Sequence, residues 1–409
     1  MDMKHINKIQ KVLDEVTERK LIAGLNVLIY KDGREIGYFE SGMADIEGKR
    51  KWSRDTISRL FSMSKPVTAV AAMILLERGQ LDLADEVGWY IPEFWNLKVC
   101  TEKGRNDKAK SAVRNTWRPL LIRDLLNMTS GYTYGAWCED SPYGEHLTSD
   151  LITDLNRDVD AGGENKITTQ DFAKRLATIP ASFDPGTDYN YGLSADILGA
   201  VIEKISGMKF SDFLKKEIFQ PLGMTDTDFY VPAEKQARLS KVYKCIKAED
   251  NSCQLEAFTS CNLGIQYKMD KAPSFESGGA GLCSTADDYM KFAAMLANYG
   301  EFNGRRILKR ATVEYLMGAR LTPALQQRFD MKMPHLSGYT YCNLLRVAAE
   351  EGQCKVVSRK GEFGWDGWLG PYTSICPDQN LAIVMTMQRT DSGTTTAARK
   401  VHNIIYSSL

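Results

Sequence analysis

The chain has 409 residues, enough for one large or two medium domains around a substantial core. Lysine plus arginine and aspartate plus glutamate both number 52, so the formal net charge is zero and nothing calls for nucleic acid or an anionic membrane surface as partner. No apolar run is long enough to span a membrane, and the opening Met1-Asp2-Met3-Lys4-His5-Ile6 lacks the features of an export signal, so a cytoplasmic protein is expected.

An amphipathic helix runs from the start to Arg19-Lys20. Residues 24–30 read as a strand, Lys31-Asp32-Gly33 as a turn and residues 35–39 as the hairpin partner. Leu60-Phe61-Ser62-Met63-Ser64-Lys65-Pro66 then opens a helix. Proline is tolerated only in a first helical turn, so Ser62 and Lys65 stand at the N-terminus, three residues apart on one face. Residues 67–76 are apolar on nearly every side, which makes this helix central and buried, and Gly79 is its expected cap. After a loop-rich passage over 81–94, two polar stretches, 101–114 and 154–166 (the latter holding Gly162-Gly163), read as surface loops. Between them a short helix at 122–128 ends in Thr129-Ser130-Gly131, with Tyr132 and Tyr134 on the loop beyond.

Further helices are expected at 169–176, 196–205, 210–219 (Pro221 just past its end) and 289–299. From Gly338 the pattern alternates, giving strands at 339–344, 355–358, 372–375 and 381–387 before a last helix at 394–407. The simplest assembly is α/β (α+β). Residues 1–60 and 290–409 form an antiparallel sheet lobe flanked by helices, 61–289 are an inserted, mainly helical lobe, and the catalytic cleft lies between them. The nine cysteines are scattered without Cys-x-x-Cys spacing and there are four histidines, so free thiols are expected, with no metal site and no disulfide framework.

A serine hydroxyl is a poor nucleophile until a base takes its proton, and a lysine in an apolar setting loses its preference for the charged form. Ser62-x-x-Lys65 at a helix N-terminus is therefore a compact nucleophile-plus-base unit. The tetrad also occurs at Ser206-Gly207-Met208-Lys209, across a glycine break with no buried helix behind it, where it reads as a turn. Asp184-Pro185-Gly186-Thr187 is turn chemistry that delivers Tyr189 and Tyr191, each readable as a proton shuttle or as a core aromatic. Gly361-Glu362-Phe363-Gly364-Trp365-Asp366-Gly367-Trp368-Leu369-Gly370 reads either as an edge strand whose N–H groups complete an oxyanion hole with that of Ser62, or as a twisted aromatic hairpin. Ser277-Gly278-Gly279-Ala280-Gly281-Leu282 reads as packing beside the cleft.

Together these stretches resemble the serine β-lactamase-related hydrolases, the group of class C β-lactamases, D-alanyl-D-alanine carboxypeptidases and family VIII carboxylesterases. The resemblance is carried in order by Phe61-Ser62-Met63-Ser64-Lys65, residues 122–131, Pro185-Gly186 with Tyr191, residues 278–285 and Trp365-Asp366-Gly367, over nearly the whole chain. It implies a β-lactamase/transpeptidase-like fold in a bacterial enzyme, with Ser62 acylated, Lys65 its proton acceptor and Tyr191 the tyrosine base. It also implies a second oxyanion N–H at Trp368, and substrate contacts among Trp365, Asp366, Gly367, Tyr134 and Tyr189.

The chain departs from the β-lactamases of the group at two places. Leu193 stands where they carry an asparagine, and Trp365-Asp366-Gly367 stands where they carry Lys-Thr-Gly or His-x-Gly. Both departures run toward the family VIII esterases, although Asp366 differs even from their Trp-Gly-Gly and disfavours anionic substrates if it faces the cleft. Met128 replaces a frequent histidine and reads as packing. The resemblance thus implies a carboxylesterase of small-molecule esters without a cofactor. Acyl transfer, β-lactam or D-peptide hydrolysis on the same machinery, and a catalytically silent binding relative, are the alternatives.

Overall fold

In the computed structural model, which describes residues 2–162, 166–247 and 253–409, the two ends of the chain meet in one eight-stranded antiparallel sheet. Its strands are β1 (Gly24–Lys31), β2 (Arg34–Asp45), β3 (Arg50–Lys51), β4 (Tyr339–Cys342), β5 (Leu345–Ala348), β6 (Phe363–Asp366), β7 (Tyr372–Cys376) and β8 (Leu381–Met387), ordered β4-β5-β6-β7-β8-β1-β2-β3. The helices that matter below are α1 (Lys8–Glu18), α2 (Ser64–Glu77), α3 (Tyr143–Asp160), α4 (Thr169–Ala177), α5 (Ser194–Ser206), α6 (Ala286–Ala297) and α7 (Thr396–Tyr406).

Side chains of a strand alternate between faces, so the central strands, buried on both, need a cover on each. Val27, Ile29, Ile383 and Met385 pack under α1 and α7. Leu28, Ala382 and Val384 face the other way, into the core shared with α6 and the helical part of the chain. There α2 is buried from Ser64 to Leu75, as its all-round apolar sequence requires. It packs against α5 and delivers its first turn to the sheet at β6. The chain leaves α2 through Gly79 in the left-handed conformation (φ +67°), with the Gly79 and Gln80 N–H groups donating back to Leu76 and Leu75.

Several expected elements differ. The stretch at 101–114 contains a short helix, Asp107–Ser111, and ends in a strand, Val113–Asn115, that pairs with Lys98–Cys100; the buried Ala109 and Cys100 anchor it. The stretch from 154 is helical as far as Asp160, because Leu151, Ile152 and Leu155 bury one face of α3 while Asp154 and Arg157 stay outside. Gly163, in the expected loop, lies outside the described residues. Residues 355–358 are not a strand. The Val357 N–H donates to Asn403 and its carbonyl is bonded to His402, so side chains of α7 take the groups that a ladder would use. The strands on either side of that region are instead β5 and β6.

The helix at 210 continues past its expected end through a π segment, Lys215–Phe219, into Gln220–Leu222, which contains Pro221. Arg310–Gly318 and Pro323–Lys332 are helices in a stretch to which the pattern assigned nothing. Cys245 and Cys253 form a disulfide across a two-stranded hairpin, correcting the expectation of free thiols throughout. Pairing of the strands brings together two cysteines whose spacing, eight residues, carried no motif. Ser206-Gly207 is the turn expected of it, with Gly207 at φ +67° ending α5.

Because Met73 is fully buried in the middle of α2, Met73→Ala is expected to lower the unfolding free energy by about 2–5 kcal/mol. Urea denaturation read at one pH checks this. An effect below about 1 kcal/mol would show that the surroundings of α2 collapse freely around the lost side chain.

Candidate active site

Ser62 sits in a single 3-10 turn, Phe61–Met63, that leads directly into α2. The turn is held from outside: the Leu60 N–H donates to the Leu282 carbonyl at 2.9 Å and the Tyr289 hydroxyl donates to the Met63 carbonyl at 2.8 Å. Phe61 is left-handed (φ +45°), a strained backbone for an aromatic residue and one that the surrounding contacts must impose. Ser62 itself remains half-buried.

Lys65, by contrast, is wholly buried. Its Nζ donates to Ser62 Oγ at 3.1 Å, to the Tyr134 hydroxyl at 2.8 Å and to the Gly279 carbonyl at 2.9 Å. Burial pulls its pKa down to about 7, against the carboxylates of Asp196 and Asp366, which raise it. Near neutral pH a large share of the amine is therefore uncharged, with a lone pair 3.1 Å from the serine hydroxyl.

The Gly279 carbonyl is fixed by a strip of glycines threaded between α2 and α5. Thr68 Oγ1 donates to the Gly278 carbonyl at 2.7 Å, and the Leu282 N–H donates to Ser64 Oγ at 3.1 Å. A Cβ on Gly278 would lie 2.3 Å from the Ala195 carbonyl oxygen, so only glycine passes there. Asp196, in the first turn of α5, accepts from the Ser277 hydroxyl at 2.5 Å and from the Gly279 N–H at 3.2 Å. One residue, Gly279, thus joins a buried carboxylate through its N–H to the buried amine through its carbonyl.

Tyr191 follows the Pro185-Gly186 turn. Gly192 packs on the Tyr132 backbone, which sets Tyr134 and Tyr191 side by side with ring centroids 5.7 Å apart. Lys65 Nζ lies 4.7 Å from the Tyr191 ring centroid, and Trp365 Nε1 donates to the Tyr191 hydroxyl at 2.8 Å. Desolvation pushes both phenols well above their ordinary range, with Ser62 and, for Tyr191, Trp365 partly opposing it. Both are protonated at neutral pH, so Lys65 titrates before either phenol.

Strand β6 supplies the opposite wall. By sheet order it lies third from the edge, yet β5 pairs only with Phe363 and Gly364, so from Trp365 onward it is free on that side. The expected edge is therefore confined to its second half. The Thr394 hydroxyl donates to the Asp366 carboxylate, whose pKa burial raises. Gly367 abuts the chain just before the serine: a Cβ there would meet the Leu60 carbonyl oxygen at 2.2 Å. Trp368 lays its ring on Phe61 at 5.0 Å and donates from Nε1 to Asp391 at 2.7 Å. Its carbonyl accepts from Ser392, while no backbone carbonyl among the described residues accepts its N–H.

The structure therefore gathers Ser62, Lys65, Tyr134, Tyr191, Trp365, Asp366, Gly367 and Trp368. It leaves out Tyr189, whose ring is fully buried edge-on to Phe329 and Tyr341 with its hydroxyl unpartnered. As a substrate contact, Tyr189 is replaced by the core reading of the same residue. Asp196, Ser277 and Gly279 belong to the cluster; from sequence Ser277 and Gly279 read only as packing beside the cleft, and Asp196 only as the start of a helix. The available signal was a lone aspartate ahead of the apolar run Ile197-Leu198-Gly199-Ala200-Val201-Ile202.

Residues 9–405 match the family model described as Beta-lactamase. The chain belongs to that family. An uncharacterised protein of Mycobacterium tuberculosis is 28% identical over 93% of this chain and 89% of its own length. Esterase EstB of Burkholderia gladioli is 30% identical over 72% of this chain and 70% of its own. Among solved structures, EstCE1, described as a hydrolase with promiscuous acyltransferase activity, superposes with a TM-score of 0.77 at 23% identity, covering 98% of this chain and 99% of that one. At that identity the superposition establishes the β-lactamase/transpeptidase-like fold. Family and fold make this chain a serine hydrolase, and no helix among the described residues is long and apolar enough to cross a membrane.

Two outcomes follow from the buried pair. Activity needing uncharged Lys65 should rise through an apparent pKa of about 7. Asp196→Asn, which removes a charge favouring the ammonium, should move that limb to lower pH in a kcat/KM profile. An unmoved limb would assign the titration elsewhere. Gly367→Ala should cost most of the activity by pushing β6 off Leu60, measurable as kcat/KM on any ester that the wild type turns over.

Proposed function

We propose that the protein is a carboxylesterase that works through an acyl-enzyme on Ser62. The observation that carries this is the buried Lys65 amine at 3.1 Å from Ser62 Oγ, in a setting that favours its uncharged form. Uncharged Lys65 takes the Ser62 proton as Oγ attacks the ester carbonyl carbon. The resulting oxyanion is received by the N–H groups of Ser62, orphaned in the first helical turn, and of Trp368. Tyr191, held by Trp365, gives its proton to the departing alkoxide, and the proton that Lys65 took from Ser62 makes good the loss through the hydroxyls around Nζ. Water then enters. Its proton returns along the same route, its oxygen attacks the acyl carbon, and Ser62 Oγ leaves with a proton.

The raised phenol pKa values make Tyr191 a relay, which passes on a proton as it receives one, rather than a resting phenolate base. Trp365-Asp366-Gly367 puts no cation where a β-lactam or peptide carboxylate would need one, and Asp366 adds a negative charge beside Tyr191. Neutral esters fit that electrostatic setting better than anionic substrates, and the esterase among the relatives supports the same substrate class. Transfer of the acyl group to an alcohol or amine is the second reading, favoured by the transferase activity named for EstCE1.

Brief exposure to p-nitrophenyl butyrate should add the mass of a butyryl group to the wild-type chain and none to Ser62→Ala. Tyr191→Phe should still acylate, with turnover lower by about 10²–10⁴-fold. An adduct that clears only when an alcohol or amine is added would establish the transferase instead. Nitrocefin hydrolysis faster than ester hydrolysis would overturn the assignment.

A further inference from the structure

A cavity of about 320 Å³ lies near the site without opening on Ser62. It lies behind the segment from Asn262 to Phe275, and Val159, Ile167, Phe229, Ile265, Met269 and Phe275 give it an apolar lining. Its volume is at the lower end of the range for ligand pockets, about 300 Å³ upward. Phe275 also lines a much smaller void whose far side is Tyr134 and Asp196, the neighbours of Lys65. A single layer of side chains therefore separates the cavity from the catalytic cluster.

That layer is tight. A Cβ on Gly264 would lie 2.8 Å from Leu155 and 3.0 Å from Phe275, and the Phe275 ring packs at a tilt against Phe172, centroids 4.6 Å apart. It is also strained. Leu263 (φ +52°) and Met269 (φ +47°) hold left-handed backbones that apolar side chains rarely adopt. The Gln266 Oε1 atom is buried without a partner among the described residues, an unsatisfied acceptor in the same turn. Strain and an orphaned polar atom in a closed wall are costs that opening the wall would relieve.

We propose that this cavity receives the aliphatic acyl chain of the substrate, with Phe275 and the turn around Leu263–Gly264 as the gate between it and Ser62. The proposal rests on the esterase reading and extends it to medium-chain acyl esters. The acyl group is assigned to the cavity, rather than the alcohol, for a mechanistic reason. The alcohol must escape before water can attack, whereas the acyl group stays bonded to Ser62 Oγ until water attacks and can remain seated against an apolar lining meanwhile. Each methylene moved from water into such a lining favours binding, which a short acyl group forgoes.

The test compares kcat/KM for p-nitrophenyl octanoate, p-nitrophenyl acetate and octyl acetate. Val159→Trp fills the cavity from the far wall, on α3, away from the catalytic cluster. It should lower the octanoate value about tenfold or more and leave acetate unchanged, which also verifies that the variant is folded. Phe275→Ala widens the gate and should raise the octanoate-to-acetate ratio several-fold. An unchanged ratio in Val159→Trp, or a loss confined to octyl acetate, would overturn the assignment of the acyl chain. Failure of the esterase reading has a different signature: wild-type protein then forms no Ser62-dependent adduct with either p-nitrophenyl ester, and the acyl site falls with it.

Discussion

The constraint on which the site depends is the burial of a lysine. An ammonium taken out of water is costly unless it is paired or gives up its proton, and Lys65 has both possibilities in reach. Three acceptors surround its Nζ and two carboxylates lie within electrostatic range, so the charged form is tolerated. Desolvation is nevertheless the largest influence and brings the charged and uncharged forms close in free energy. A surface lysine would be a fixed cation and could take no proton from a serine.

Much of the architecture serves to keep that environment in place. α2 is buried on all sides because a first turn bearing a buried amine needs dry walls around it. The glycine strip at 278–281 exists because a carbonyl must approach Nζ between two packed helices, where a side chain would strike the Ala195 carbonyl or the Asp196 carboxylate. β6 closes the other side through Gly367 against Leu60, and its Trp365 steadies Tyr191. Sheet and helices thus contribute opposite walls of one small polar cluster.

The local chemistry was legible in the sequence wherever backbone geometry left little freedom. Pro66 located the start of α2, the run from Val67 to Leu76 its burial, and Gly207 the harmless nature of the second tetrad. Reading failed where a polar surface masks a buried face. The stretch from Asp154 looked like a loop because its charged residues outnumber the leucines that anchor α3. It failed also where side chains from elsewhere satisfy a backbone, as Asn403 and His402 do for Val357. Tyr189 and Tyr191 are chemically alike in the sequence, and packing alone separates a core ring from a phenol beside Ser62 and Lys65.

By itself the sequence determined that Ser62 and Lys65 stand together at a helix N-terminus, that the helix behind them is buried and that both ends of the chain build one sheet. Those follow from short-range rules: where proline can stand, where glycine must, and which residues repeat with a helical or strand period. Only the tertiary structure decided that Lys65 lies among Tyr134, Gly279 and Asp196, that Trp365 holds Tyr191, and that an apolar cavity stands one side-chain layer away behind Phe275. Desolvation and contact between segments 69 to 214 residues apart set these features, and neither is written in any local pattern.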